Sequence, residues 1–231
     1  MALAIGTSPS LVSGSGETQT TASFSPPADS LLVAVAMLYD YEGGGRSPTN
    51  TGTPLTWTLQ ESDDTTPATS GVRIYTAINA AAQSGITVSA QFSNGRGALK
   101  VYVITGHDRV TPVGNTGFGT TSTGNATVTG YSSTRDGSRG ICGAIDFDLG
   151  SLSSSDVAEA FTSGGIAIPG LAISKASNTT GVSTNVTFNM NNGSGSADWA
   201  WAAVEIIPEI VNPRPVHIVQ VGQAVMRSTL I

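Results

Sequence analysis
Eight consecutive apolar residues, Leu31 to Leu38, stand between Pro26-Pro27 and the turn-forming run Asp40 to Gly45. A run of that length, bounded by turn residues, fits a strand buried on both faces. It is far too short to cross a membrane as a helix. Ser30 to Tyr39 (SLLVAVAMLY) therefore predicts a central strand, with the other strands laid beside or across it.

The remainder of the chain supplies those neighbours. With 28 glycines, 11 prolines and only 11% charged residues in 231, the composition predicts short strands joined by polar turns. Leu55 to Leu59 alternates, with Leu55, Trp57 and Leu59 on one face. Val72 to Ala77 reads as another strand. Asn79 to Ser84 reads as one helical turn or a plain connection. In Gly85 to Phe92, Ile86, Val88, Ala90 and Phe92 oppose Thr87, Ser89 and Gln91, the pattern of a half-buried antiparallel strand. Asn94-Gly95 then reads as a hairpin turn, with Leu99 to Thr105 returning. Gly114 to Gly130 reads as a loop holding one short strand near 126–129. Gly140 to Phe147 is a strand, and Asp156 to Phe161 a loop with one turn of helix. Ile166 to Ile173 is a strand bent at Pro169-Gly170. Val182 to Phe188 alternates, Asn191 to Ser196 reads as a turn, and Ala197 to Ile207 as the last long strand. In that strand Trp199, Trp201, Ala203 and Glu205 oppose Ala200, Ala202, Val204 and Ile206.

Two stretches echo two others. Ser30 to Asp40 parallels Ser138 to Asp148, each an apolar run closed by an aromatic residue and Asp. Ile86 to Phe92 with its Asn-Gly parallels Val182 to Phe188 with its own. Two tandem small domains, or one sandwich whose sheets each take equivalent strands from both halves, would produce this. The single sandwich is preferred, because each half alone has too few strands to cover its apolar face. The expectation is an all-β, jelly-roll-like antiparallel β-sandwich of about ten strands over 22–208. Residues 1–21 form an N-terminal arm or first edge strand, and 209–231 a C-terminal tail. Pro213 and Pro215 stiffen the start of that tail. Val216 to Val221 (VHIVQV) is strand-like, and Arg227 is the only charged residue from 216 to 231.

Chemistry is sparse by comparison. A net charge of -6 and scattered basic residues disfavour nucleic acid. MALAIGTSPS lacks the basic region and long apolar core of a secretory signal, which predicts synthesis in a cytoplasm without export by the general route. Sequons at Asn125, Asn178, Asn185 and Asn192 then reflect only the abundance of Asn and Thr. Cys142 sits in an apolar strand and reads as an inert packed thiol. His107-Asp108 follows a strand end, but no GxSxG elbow accompanies it, and His107 reads as a loop residue. His217 reads as structural or as an interface contact. The histidines and cysteine lack zinc spacing. Asp146 and Asp148, with Asp40 or Glu42, have the chemistry for calcium, but solvated strand-end carboxylates are the expected reading. Glu205 beside Trp199 and Trp201 is the best single acid, read as outward-facing near its strand end. No catalytic residue, metal site or cofactor is expected. Trp57, Trp199 and Trp201 could stack on sugar rings as a glycan platform, although aromatics within strands are usually core.

SPPADSLLVAVAMLY (Ser25 to Tyr39), TWTL and VRIYTAINAAAQSGITVSAQFS resemble a β-sandwich found in minor tail and other virion proteins of tailed bacteriophages, especially those of actinobacterial hosts. VHIVQVGQAVMRSTLI resembles the C-terminal segments those minor tail proteins carry. The resemblance implies a non-enzymatic virion structural protein, assembled in the host cytoplasm, whose partners are other virion proteins and copies of itself. It implies a minor tail protein first and a capsid decoration protein second. A carbohydrate-binding module gripping a host-surface glycan is a further class. No membrane insertion is implied. The tail contacts are expected from Val216, Ile218, Val219, Val221, Leu230 and Ile231.

Overall fold
The computed structural model describes residues 2–39, 47–63, 70–92, 97–148, 150–162 and 169–210. Among them are fourteen strands and no helix. In chain order these are β1 (Ala4–Ile5), β2 (Val12–Gly14), β3 (Thr18–Thr20), β4 (Ser30–Tyr39), β5 (Thr49–Asn50), β6 (Thr58–Asp63) and β7 (Ser70–Asn79). They continue with β8 (Val88–Gln91), β9 (Gly97–Thr105), β10 (Val113–Ser132), β11 (Arg139–Asp146), β12 (Val157–Thr162), β13 (Pro169–Ser174) and β14 (Asn185–Ile206). All pairings are antiparallel. The chain is an all-β antiparallel sandwich.

The first large sheet runs β1-β9-β4-β7-β6, with β2 also on β9. The second runs β10-β14-β11-β13-β12. A small sheet, β3-β8-β5, completes the set. Each large sheet is thus built from one half of the chain, which corrects the expectation that both halves feed both sheets. β4 is central, and Leu31 to Leu38 are all buried. Leu31, Val33, Val35 and Met37 face the second large sheet, meeting Ile141, Ile145, Ala200, Ala202, Val204 and Ile206. Leu32, Ala34, Ala36 and Leu38 face the small sheet, meeting Ile86, Val88, Ala90 and Phe92.

The second half repeats this plan with one continuous ribbon. β10 and β14 pair along nearly their full lengths, with register shifts between Thr121 and Asn125. There the ribbon doubles back. A Cβ on Gly117 would lie 2.0 Å from the Gly130 carbonyl oxygen, and one on Gly130 would lie 2.6 Å from the Phe188 ring. The returned half puts Ala126, Tyr131, Val186, Phe188 and Met190 over Cys142, Ala144, Leu171, Ile173, Trp199 and Trp201. Four layers result, and each half covers one face of its own sheet while the other half covers the second.

Register makes the duplication explicit. Val35 pairs with Ile74 and Lys100, and Ile74 with Glu61. Gly143 pairs with Ala172 and Ala202, and Ala172 with Glu159. A Cβ on Gly143 would lie 2.5 Å from Val35 Cγ1, so counterpart positions touch where the sheets cross. That is the contact a two-fold relation places on its axis. The two counterpart glutamates clasp the outer edges. Glu61 Oε2 accepts from the Thr116 hydroxyl at 2.6 Å, whereas Glu159 accepts from Leu11 N at 2.7 Å and pairs with Lys100.

Several local expectations change. The segment 4–20 holds three short strands, two on β9 and one on β8, and Leu3 is buried in the inner core. The strand expected at Leu55–Leu59 begins at Thr58 and continues to Asp63 past a bulge. Residues 114–130, expected as mostly loop, are strand, because the small side chains let the ribbon fold on itself. The helical turn expected at 156–161 is β12. Asn191 to Ser196 bends β14 without reversing it, since both flanks pair with β10. β8 and β9 likewise lie in different sheets, so no hairpin joins them.

Candidate functional site
Both described ends of the chain meet at one pole. Ala4 pairs with Thr105. After β14, Asp108 N donates to the Ile207 carbonyl, and Glu209 N donates to the Gly106 carbonyl. Residues 207–209 therefore run antiparallel to 106–108, anchoring the base of the C-terminal segment. Arg109 bridges Asp29 and Glu209 at 3.2 and 3.8 Å. Arg135 binds Asp108 Oδ2 and the Pro208 carbonyl, each at 2.7 Å. That contact, with donation from Val110 N and Thr111 N, holds the Asp108 carboxyl down at about 2.

His107 lies within this junction, buried, and neither ring nitrogen has a hydrogen-bond partner among the described residues. It lines a small cavity of about 200 Å³ with Pro27, Asp29, Thr105, Arg109 and Glu209. Burial first, then Arg109, pushes its pKa below the ordinary imidazole value, against the opposing pull of Asp108, Asp29 and Glu209. A histidine held neutral by the fold leaves stability intact above the unfolded value of about 6.5 and removes it as pH falls below that. Unfolding midpoints of the wild type should therefore fall between pH 7.5 and 5.5, while His107→Leu shows a flatter profile. Superimposable profiles would show that His107 does not titrate with unfolding.

A larger groove of about 580 Å³ opens nearby. Its floor is the row Thr76 and Ile78 of β7 with Thr58 and Gln60 of β6. Leu55, the Ala80–Ala81 connection, Val110 and Pro112 form its walls. Thr76 and Ile78 continue the inward-facing row of Ile74. Ile78 is 41% exposed and Val110 86%. Among the described residues no Asp, Glu, Lys or Arg lines the groove. Gln60 donates to the Thr76 hydroxyl at 2.7 Å and Gln83 to Asn79 Oδ1 at 2.9 Å, so its polar groups largely satisfy one another.

The residues singled out from sequence do not converge. Trp199 and Trp201 are 1% and 7% exposed beneath the returned ribbon. Trp57 is half-buried on the opposite outer cluster. The three rings share no face, and neither Trp199 nor Trp201 presents one to a sugar. Glu205, expected outward, is fully buried and accepts from Asn115 N, Thr134 N and the Thr134 hydroxyl at 2.8–3.0 Å. Asp146, expected solvated, is also buried, accepting from Asn192 Nδ2 and the Asp148 and Asp198 amides. Both carboxylates serve as hubs for backbone donors left over beyond strand ends and at irregularities within β10 and β14. Among the described residues no group of three or more His, Cys, Asp or Glu could hold a metal. Burial pushes the Cys142 thiol well up, which keeps it protonated. Asp40 and Glu42 lie outside the described residues, as do Val216, His217, Ile218, Val219, Val221, Leu230 and Ile231. Ile78 and Val110 were not singled out from sequence. Their only signal was an aliphatic side chain next to turn residues, which a strand-end core position shares.

No family model, no curated protein and no solved structure matches the chain.

Proposed function
We propose that the chain is a structural protein of a tailed-phage virion, a minor tail protein that joins its neighbours through the segment following Ile210. The observation that carries this reading is the junction at the pole. The sandwich closes its own layers, the base of the tail is clamped by Gly106, Asp108, Arg109 and Arg135, and an aliphatic, almost uncharged sequence follows. Such a sequence is a poor solvated tail and a good strand-pairing segment. The resemblance of its residues to minor tail proteins supports the same assignment. Capsid decoration is the second reading, since it uses the same kind of attachment.

The test is a chain ending at Ile210, which retains the clamp. It should give the circular dichroism of the full chain and a soluble monomer, and should fail to co-sediment with particles. Unfolding on truncation would make the tail part of the domain. Normal incorporation would make the sandwich itself the contact. Antibody labelling of imaged particles separates tail from capsid.

A further inference from the structure
We propose that the groove between β6, β7 and Val110 seats the Val216–Val221 segment of a neighbouring copy of this chain. The inference rests on the assembly reading above and names the surface that receives the tail.

The duplication supplies the main argument. Ile5 pairs with Ile104, and Val113 with Ile206. Counting back from these counterpart positions, Leu3 corresponds to Thr111 and Ala2 to Val110. Leu3, carried by the first half, is 4% exposed and packed in the inner core, and its carbonyl accepts from Asn178 of the second half at 3.2 Å. Asn178 lies in the connection that follows β13, as Ala80, which lines the groove, lies in the one that follows β7. Thr111, its counterpart on the second half, is exposed instead, with its amide capped by Asp108 Oδ1 at 3.0 Å. One half thus holds an aliphatic side chain from an incoming segment where its twin holds none. Ile78 and Val110 remain open to solvent there, with Leu55 half-buried beside them.

The occupant follows from chemistry and direction. An uncharged groove on a chain of net charge -6 favours an uncharged segment. Residues 216–226 carry no Asp, Glu, Lys or Arg, and Val216, Ile218 and Val219 with Val221 offer aliphatic knobs on either face. Among the described residues β6 is the last strand of its sheet, a position at which an extended segment can add by strand pairing. A neighbour supplies the segment, because the chain's own tail is led away. Ile207 N donates to the Pro112 carbonyl at the groove rim, but Glu209 is already at Gly106.

The full chain tests this with single substitutions. Ile78→Asp and Val110→Asp alter exposed groove positions, and Ile218→Asp alters the tail. Sedimentation equilibrium should show the wild type self-associating and each variant at least tenfold weaker. Mixing the Ile78→Asp chain, whose tail is intact, with the Ile218→Asp chain, whose groove is intact, should restore a one-to-one complex. Failure to restore it would mean that the tail folds onto its own groove, overturning the proposal. Groove variants that associate normally while Ile218→Asp does not would overturn the groove and leave the tail reading standing. An Ile218→Asp chain that associates and joins particles normally would overturn both. A wild type that stays monomeric at every concentration would overturn the pairing of copies. Circular dichroism guards against misfolding, and Val110, the more exposed of the two groove positions, provides the variant least able to disturb the core.

Discussion
Replacing Trp199 by Ala lowers the stability of the sandwich by about 3–5 kcal/mol, the range for deleting a large core aromatic. The ring lies in the cluster of Leu171, Ile173, Phe188 and Met190, between the second large sheet and the returned ribbon. Its neighbours come from β13 in the sheet and from the returned part of β14, so the void cannot close without moving one layer against the other. For a domain of this size the thermal midpoint should drop by about 6–20 °C. Trp57→Ala, at a half-buried position, should cost much less. A midpoint unchanged in Trp199→Ala, together with loss of retention on host cell wall, would instead make the ring a glycan contact.

The second large effect is expected at Glu205. Its carboxylate fills the space beside Gly114, where a Cβ would come within 2.2 Å of Oε2. It satisfies Asn115 N, Thr134 N and the Thr134 hydroxyl, with Arg135 N at 3.4 Å. Glu205→Leu keeps the bulk and strands those donors in a buried site. At about 1–3 kcal/mol for each unsatisfied group, a total loss of roughly 3 kcal/mol or more is expected. Glu205→Gln should lose less, since one oxygen still accepts while the amide faces donors. Urea unfolding of the three chains measures the order. Equal stability of Glu205→Leu and wild type would show that water replaces the carboxylate.

The legibility of the fold varied with the distance between the cause and its sequence signal. The alternation in Ala197–Ile207 divides Trp199, Trp201 and Ala203 from Ala200, Ala202, Val204 and Ile206, and the two sets occupy the two cores flanking that sheet. Ile86, Val88, Ala90 and Phe92 likewise share one buried face. Here the signal is local, because successive side chains in a strand point to opposite sides. In contrast, Asn94-Gly95 suggested a hairpin and Asn191–Ser196 a turn, yet β8 and β9 lie in different sheets and β14 runs on through 191–196. Turn chemistry permits a change of direction and leaves the pairing partner open. The Gly- and Thr-rich stretch 114–130 carried no strong strand signal. Its strand character depends on pairing with β14 and on the close approach of Gly117 to Gly130. The groove was equally hidden, since Ile78 differs from its buried neighbours only in what the second sheet fails to cover.

By itself the sequence determined the class of structure, the central place of Ser30–Tyr39 and the existence of two echoing halves. These follow from apolar periodicity, composition and the double-sided burial an unbroken apolar strand demands. The tertiary structure alone decided how the echo is used. Each half builds one large sheet and covers its outer face. The two inner faces meet where Val35 finds room against Gly143. Which faces meet is a matter of complementary shape between residues more than a hundred positions apart, and no local pattern encodes it. The same packing decided that Glu205 and Asp146 serve as buried acceptors, that Trp199 and Trp201 are core, and that an aliphatic side chain fills one inter-sheet mouth while its counterpart stays open.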